Sequence, residues 1–299
     1  MGIRELRQIV GQLVVSAEAL GAIGAALQLR ASGREAAPEV QEALQAAIAA
    51  IGGADLLADV TPAEAVWLVA LSRAMLTQSL DGIAHADGAP GWGVTDPQVL
   101  DDWGTISASL VPLLQQSVVP RLAGLAARLE APTATFLDVG VGTAQLSIAM
   151  CQTWPTLSVI GLDPWAPALA QARRNLARAG LAERVSLEAR GVEELAIDAA
   201  CDLAWLATPF IPPSVLETGV ARIARALRPG GWLLLGQFAA PGALGAALVA
   251  LRTARSGGRV LSAAEAEGLL TGAGLRSAQT LPPETWPAGM LVVAQRPPD

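Results

Sequence analysis

Along the first thirty residues, Leu6, Ile9, Leu13, Ser16, Leu20, Ile23 and Leu27 fall at alternating steps of three and four. That spacing returns to one face of a helix on every turn and predicts a long amphipathic helix over about 6–27. A second helix is expected from about Pro38 to Ile51, closed by Gly52 and Gly53. In VTPAEAVWLVALSRAMLTQSL, Thr61 suits a helix N-cap, Pro62 the first helical position, and Glu64 completes a capping box. HADGAPGWGVTDPQ is dense in Gly, Pro and Asp and reads as a loop. A long helix, broken near Pro112 and Pro120, then leads to Glu130. Almost nothing here alternates as a strand would.

After APTA the period changes. Short apolar runs at 135–139, 157–162, 184–189, 202–206, 231–237 and 289–294 alternate with helical stretches at about 143–153, 166–179, 214–227 and 262–272. The last helix opens with Ser262-x-x-Glu265, another capping box. Strands alternating with helices predict a doubly wound α/β domain, a largely parallel sheet covered on both faces. The expected division is a helical region over 1–130 and the sheet domain over 131–299. Right-handed crossovers put the C-terminal strand ends on one edge, where open sheets bind ligands.

Composition narrows the function. Apolar residues make up 52% of the chain before its 30 glycines are counted, and charged residues only 16%. Usual values are about 45–50%, glycine included, and about 25%. The surplus implies a subunit interface or an apolar substrate cavity. The 6–27 stripe accordingly has two readings, packing within its own domain and packing against a second copy in a homodimer. Net charge is −7 and the basic residues are scattered, which argues against a nucleic-acid partner. All 20 basic residues are arginine, and there is no lysine or tyrosine. Cys151 and Cys201 are too few and too far apart for a disulfide framework or metal knuckle, so no metal is expected. IVGQLVVSAEALGAIGAALQL is interrupted by Gln12, Ser16 and Glu18, so a cytoplasmic protein without a membrane segment is expected.

FLDVGVGTAQL, residues 136–146, joins the first strand to its helix through two glycines. Backbone N–H groups of such a turn point into the ligand crevice. A phosphate ligand fits poorly. Gln145 stands where a dinucleotide fingerprint needs its third glycine, and a lysine-free chain cannot form a P-loop. Asp138 would also repel a pyrophosphate. A cationic ligand end reverses that sign, with the glycine amides free to hold an adjoining carboxylate. Asp163, in VIGLDPW at the tip of the second strand, suits two ribose hydroxyls. A ligand with an amino-acid end and an adenosine-like end is S-adenosylmethionine.

On these motifs, residues from about 131 to 299 resemble a class I S-adenosylmethionine-dependent methyltransferase domain. Asp138-x-Gly140-x-Gly142 resembles its first motif, and Asp163 its ribose-binding acid. The resemblance implies cofactor contacts from Asp138, Gly140, Gly142 and Thr143, and from Asp163, Pro164 and Trp165. Gly191, Val192 and Glu193 would meet the adenine edge, and Thr208 of ATPF would lie at the fourth strand tip. It also implies a Rossmann-like mixed seven-stranded sheet whose last strand is antiparallel, with 275–281 and 288–295 as the closing hairpin. Ala144 departs from a frequent third glycine. The layout is similar to natural-product methyltransferases of small molecules, with the N-terminal helices as substrate lid and dimer contact.

Methyl transfer is an in-line displacement that depends chiefly on alignment in a water-poor pocket. A general base is needed only for acceptors that arrive protonated. The candidates are His85, the single histidine, and Asp101 and Asp102. As plain structure, the last two are helix-start acids favoured by the macrodipole. WLATPFIPP, after the fourth strand, offers no titratable side chain where similar enzymes often have a histidine. Trp92, Trp103 and Phe210 are expected to line a site for a flat apolar acceptor, Trp165 to cover the adenine, and Trp205 to pack in the core. The rival readings are a cofactor-binding cyclase or isomerase, a non-catalytic regulatory partner, and, last, a nicotinamide dehydrogenase.

Overall fold

The computed structural model describes residues 2–298, which divide into two compact units, one ending at Asp87 and one starting at Gly88. The first unit holds α1 (Ile3–Ser32), α2 (Pro38–Gly52) and α3 (Pro62–Ala84). α1 stops at Gly33, whose φ of 63° is left-handed, and the Thr61–Glu64 capping box of α3 is formed. Leu27, Ala65 and Val69 make the small core where α1 meets α3, with Ile23, Leu57, Val60 and Leu68 packed around it. The N-terminal half of α1 has no such cover: Ile3, Leu6, Ile9, Val10, Leu13, Val14 and Val15 are exposed. Contrary to the sequence expectation, Gln12, Ser16 and Glu18 do not spoil its apolar character. α1 is long and apolar enough to cross a membrane by length and composition.

The second unit begins with helical segments that pack on the sheet domain. They are α4 (Pro97–Ala108), α5 (Leu110–Leu113) and α6 (Leu125–Glu130), with a π turn at Leu114–Val118 and a 3₁₀ turn at Val119–Arg121 between the last two. The expected long helix is therefore interrupted, and the prolines account for where. Pro112 has no N–H for the carbonyl of Ala108, where α4 ends, and Pro120 lies within the 3₁₀ turn that follows the π turn. Asp96 caps α4, its Oδ1 accepting from the N–H groups of Gln98 and Val99 at 2.8 and 3.2 Å.

The sheet strands are β1 (Thr135–Val139), β2 (Ser158–Leu162), β3 (Val185–Glu188), β4 (Cys201–Ala207), β5 (Leu227–Gln237), β6 (Arg276–Thr280) and β7 (Met290–Gln295). Their order is β3-β2-β1-β4-β5-β7-β6, with β7 antiparallel to both its neighbours, as expected for the closing hairpin. In between run α7 (Gln145–Thr153), α8 (Ala166–Ala179), α9 (Pro213–Ala226), α10 (Gly242–Arg255) and α11 (Ala263–Gly272). Alternation along the strands separates two cores. Phe136, Leu203, Trp205, Leu234 and Val293 face one layer, and Leu137, Val139, Ala204, Leu206, Leu233 and Val292 the other. Cys151 and Cys201 are free and buried, and burial pushes the Cys201 thiol up to about 12. The sequence reading contains no α10. Gly242, Gly245 and five alanines blur its apolar contrast, and its leucines Leu244, Leu248 and Leu251 are exposed.

At the N-terminal edge of the sheet, buried Asp202 ties three strands together. Its Oδ2 accepts from the Thr135 N–H at 3.0 Å and from Arg228, and its Oδ1 from Arg128 Nη1 at 3.2 Å. Arg128 also donates to Pro229 O at 2.6 Å. This edge carries stability, and the opposite edge is left for ligands.

Candidate functional site

At the C-terminal edge, the chain leaves β1 through a turn that no sequence of ordinary L-residues adopts without strain. Gly140, Gly142 and Ala144 all take positive φ, at 76°, 55° and 62°. Glycine does so freely, while alanine costs roughly 1–2 kcal/mol, so the departure at Ala144 is a strained left-handed residue opening α7. A Cβ at Gly140 would meet nothing within 4 Å and one at Gly142 only the Gly140 carbonyl at 3.9 Å. Open space therefore lies over the turn, where a ligand would approach. Gly161 in β2 is needed for a different reason: a Cβ there would come within 2.7 Å of Val141 Cγ2.

Asp138 lies beneath the turn, 1% exposed, accepting a 2.6 Å hydrogen bond from Ser147 Oγ. Burial pushes its carboxyl up to about 7, against the Ser147 hydrogen bond and with help from the nearby Asp163 charge. Asp163 is placed as expected, at the tip of β2. Its Oδ2 accepts from the Gly142 N–H at 2.9 Å and its Oδ1 from the Trp165 N–H at 2.8 Å. Each carboxylate oxygen retains a further lone pair for a hydroxyl donor. Burial raises its pKa, partly offset by those two N–H groups. The glycine amides differ from expectation. Gly140 and Val141 both donate to Leu162 O, at 2.8 and 2.9 Å, and Gly142 to Asp163, so they brace the turn instead of waiting for a ligand carboxylate.

Asp138 gives a pH signature. Its ordinary value of 3.8 applies to the unfolded chain and about 7 to the folded one, so folding takes up a proton between them. The protonated carboxyl favours the fold fully below about 3.8, and this contribution is lost as pH rises through 7. The melting temperature of the ligand-free protein is expected to fall between pH 5 and 8, and Asp138→Asn to flatten that decline. Parallel curves for the two proteins in thermal denaturation would refute the assignment.

The base candidates fare differently. Asp101, from α4, has both oxygens engaged, accepting from Gln171 Nε2 at 2.7 Å and Asn175 Nδ2 at 2.9 Å on α8. Asn175 Nδ2 also donates to Thr143 O at 3.1 Å, so Asp101 is tied through Asn175 to the glycine turn. The buried amides Gln171 and Asn175, one helical turn apart, were the overlooked signal. Gly104 lets α4 lie on this turn, since a Cβ there would stand 2.7 Å from Gln145 Cγ and closer still to Thr143 Oγ1. Asp102 is buried and accepts from Gln98 Nε2 at 3.2 Å. His85 belongs to the first unit, exposed at the end of α3, with Nδ1 2.9 Å from Asp81 Oδ1. The helix ends at Ala84 and His85 is its C-cap, at the first position of the expected loop.

Beside Asp163, Pro164 is exposed and Trp165 is half-buried, its indole N–H donating to Val94 O at 2.6 Å. Gly191 is extended, Val192 is buried against Gly219, and the Glu193 carboxylate folds back over Gly191. Thr208 is buried and its hydroxyl donates to Gly236 O at 3.3 Å, which makes it a brace between β4 and β5 rather than an open ligand contact. Trp205 packs in the core against Gly236, as expected.

Trp92, Trp103 and Phe210 do come together. Their ring centroids are 5.1–5.8 Å apart at near-perpendicular angles, the edge-to-face arrangement aromatic rings favour. Phe238, just beyond the tip of β5, completes the group at 5.9 Å from both Trp103 and Phe210. The sequence reading missed it, although its place directly after the run 231–237 was a usable sign. Among the described residues no group of three His, Cys, Asp or Glu side chains is set to hold a metal ion.

Residues 136–231 match the family model described as Methyltransferase domain. A malonyl-[acyl-carrier protein] O-methyltransferase of Xylella fastidiosa (strain M23) is 38% identical over 105 residues, 34% of this chain and 34% of that protein. The chain thus matches about a third of that relative's length. An O-methyltransferase family protein from Burkholderia thailandensis superposes with a TM-score of 0.65 at 15% identity, covering 100% of this chain and 99% of that one. Human N-acetylserotonin methyltransferase, solved with S-adenosylmethionine, gives 0.65 at 14% identity over 99% and 100%. The whole-chain fold is shared with these structures: a helical N-terminal region and a Rossmann-like mixed seven-stranded sheet.

Proposed function

From the methyltransferase domain at residues 136–231, we propose that the protein transfers the methyl group of S-adenosylmethionine to a small aromatic acceptor. The observation that carries this reading is the pairing of the glycine turn over Asp138 with Asp163 at the next strand tip, beside open space. A sulfonium and ammonium are welcome above a carboxylate, and the sugar hydroxyls find an acceptor in Asp163. The rings of Trp92, Trp103, Phe210 and Phe238 supply a flat apolar acceptor site. Two of the named relatives are O-methyltransferases, which makes oxygen the favoured target atom. Alignment supplies the rate, of which such positioning can contribute about 7–11 kcal/mol.

The exposed apolar face of α1 is covered by a second copy of the chain. As one rigid helix of 30 residues, α1 spans about 45 Å and does not fold back to cover itself. Sedimentation of the purified protein as a monomer would remove that part of the reading.

Titration calorimetry with S-adenosylhomocysteine tests the cofactor. Micromolar binding is expected, and retention of NADH with no response to S-adenosylhomocysteine would reject the proposal. A second reading has one observation in its favour. Asp101 is tied to α8, and the charged side chain stacked on the aromatic group is an arginine, so no base is held there. The sulfonium would then serve a cyclisation or isomerisation electrostatically. Product mass decides: a gain of one methylene unit means transfer.

A further inference from the structure

The rings of the aromatic group fill the space between them. Trp92 lies 5.1 Å from Phe210 and 5.8 Å from Trp103, centroid to centroid and edge to face. With carbon contacts of about 3.5–4.0 Å on each side, rings that sandwich a flat molecule stand about 7 Å apart or more. Trp92 therefore occupies the gap that an acceptor would use. The other three rings are held from behind. Trp103 belongs to α4, Phe210 to a 3₁₀ turn against which Gly258 packs with no room for a Cβ, and Phe238 lies 4.6 Å beneath the Arg252 guanidinium. Trp92 differs, because residues 88–96 form no helix or strand.

Two hydrogen bonds hold this strap, one on either side of Trp92. The Gly91 N–H donates to Arg255 O at 2.9 Å, and Val94 O accepts from the Trp165 indole N–H at 2.6 Å. The first suits a hinge. Gly91 takes a φ of 147°, which favours glycine, and Gly257 lets the two backbones meet, since a Cβ there would stand 3.2 Å from Gly91 Cα. The second suits a latch, because a side-chain donor can release a carbonyl that water then satisfies. Trp165 is itself rooted beside the ribose acid, its backbone N–H donating to Asp163 Oδ1 at 2.8 Å. Beyond Val94 the chain is fixed again by the Asp96 cap of α4.

We propose that Trp92 is a removable plug in the acceptor site, and that Trp165 is the positioning residue whose indole N–H latches it closed. The plug rests on the methyltransferase reading and adds a gate to that same site. Opening breaks the bond from Trp165 to Val94 O and swings residues 92–95 about Gly91. The apparent affinity for an acceptor is reduced by the fraction of molecules that stand open. One neutral hydrogen bond shifts such an equilibrium about 2–12-fold. Loosening the latch therefore tightens acceptor binding, whereas loosening a strap that served as a wall of the site would weaken it.

Nuclear magnetic resonance of the indole N–H groups reads the latch directly. The Trp165 signal is the one that disappears in Trp165→Phe, which keeps a flat ring and loses the donor. In the ligand-free wild type this N–H is expected to exchange slowly with water, and to lose that protection once 2-naphthol saturates the site. By calorimetry on the full-length protein saturated with S-adenosylhomocysteine, Trp165→Phe is expected to bind 2-naphthol about 3–10-fold more tightly than wild type. Fast exchange in the ligand-free protein, protection that survives 2-naphthol, an affinity gain smaller than threefold, or no binding of 2-naphthol by either protein each overturns the proposal. The exchange measurement is made on the wild type, so it decides the latch even if the variant is unstable. Failure of S-adenosylhomocysteine itself to bind overturns the methyltransferase reading instead, and exchange in the ligand-free protein still decides the latch.

Discussion

Asp163→Ala is expected to weaken S-adenosylhomocysteine binding by about 10²–10⁴-fold. Two hydrogen bonds from ribose hydroxyls to an ionised carboxylate are worth about 1.5–3 kcal/mol each, and every 1.4 kcal/mol is tenfold. The existing partners of the carboxylate support the estimate. The N–H groups of Gly142 and Trp165 hold both oxygens in place before any ligand arrives, so little ordering remains to oppose binding. The alanine variant also leaves those two donors without acceptors and loosens the turn. Asp163→Asn separates the effects, since it keeps one acceptor oxygen and most of the shape. If the charge matters for the sugar, the asparagine protein stays near the wild-type melting temperature yet binds at least tenfold more weakly. Calorimetric affinities of both variants within threefold of wild type would remove Asp163 from the site.

Asp202→Ala acts on the other edge of the sheet and on stability alone. Removing one member of a buried ionic group costs about 3–5 kcal/mol, because the remaining charges lose their partner while staying desolvated. Arg128 and Arg228 are each about one third exposed, at 32%, so water recovers part of that loss, and about 3 kcal/mol is expected. Against the 5–15 kcal/mol that holds a typical domain together, this is a large fraction. Urea unfolding followed by far-ultraviolet circular dichroism measures it. The folded fraction should still bind S-adenosylhomocysteine with wild-type affinity, since Asp202 lies at the strand ends remote from the glycine turn. A loss below 1 kcal/mol would mean that Thr135, Arg128 and Arg228 find adequate partners without it.

The sheet domain was legible in the sequence because its central strands, β1, β4, β5 and β7, are buried on both faces and read as short apolar runs. β1 and α8 match the expected ranges residue for residue, at 135–139 and 166–179. The Asp138–Gly142 turn and Asp163 were legible for a related reason: left-handed backbone and a strand-tip carboxylate each demand particular residue types. Less was legible where side chains act on one another across the fold. Asp101 looked like a free acid because its partners, Gln171 and Asn175, are 70 and 74 residues away. Thr208 looked available because its burial and its hydrogen bond to Gly236 O have no local signature. α10 escaped because alanine and glycine carry little contrast between a buried and an exposed face. Phe238 escaped because one aromatic residue past a strand is an ordinary thing to see, and only its neighbours give it meaning.

The two indoles of the aromatic group, 5.8 Å apart and nearly perpendicular, have an optical consequence. With eight tryptophans and no tyrosine in the chain, near-ultraviolet emission comes from indole alone. An arene sliding between Trp92 and Trp103 alters their contact and their exposure to solvent, and hence the brightness and colour of that emission. The molecule carries its own occupancy gauge, legible in a cuvette without a label.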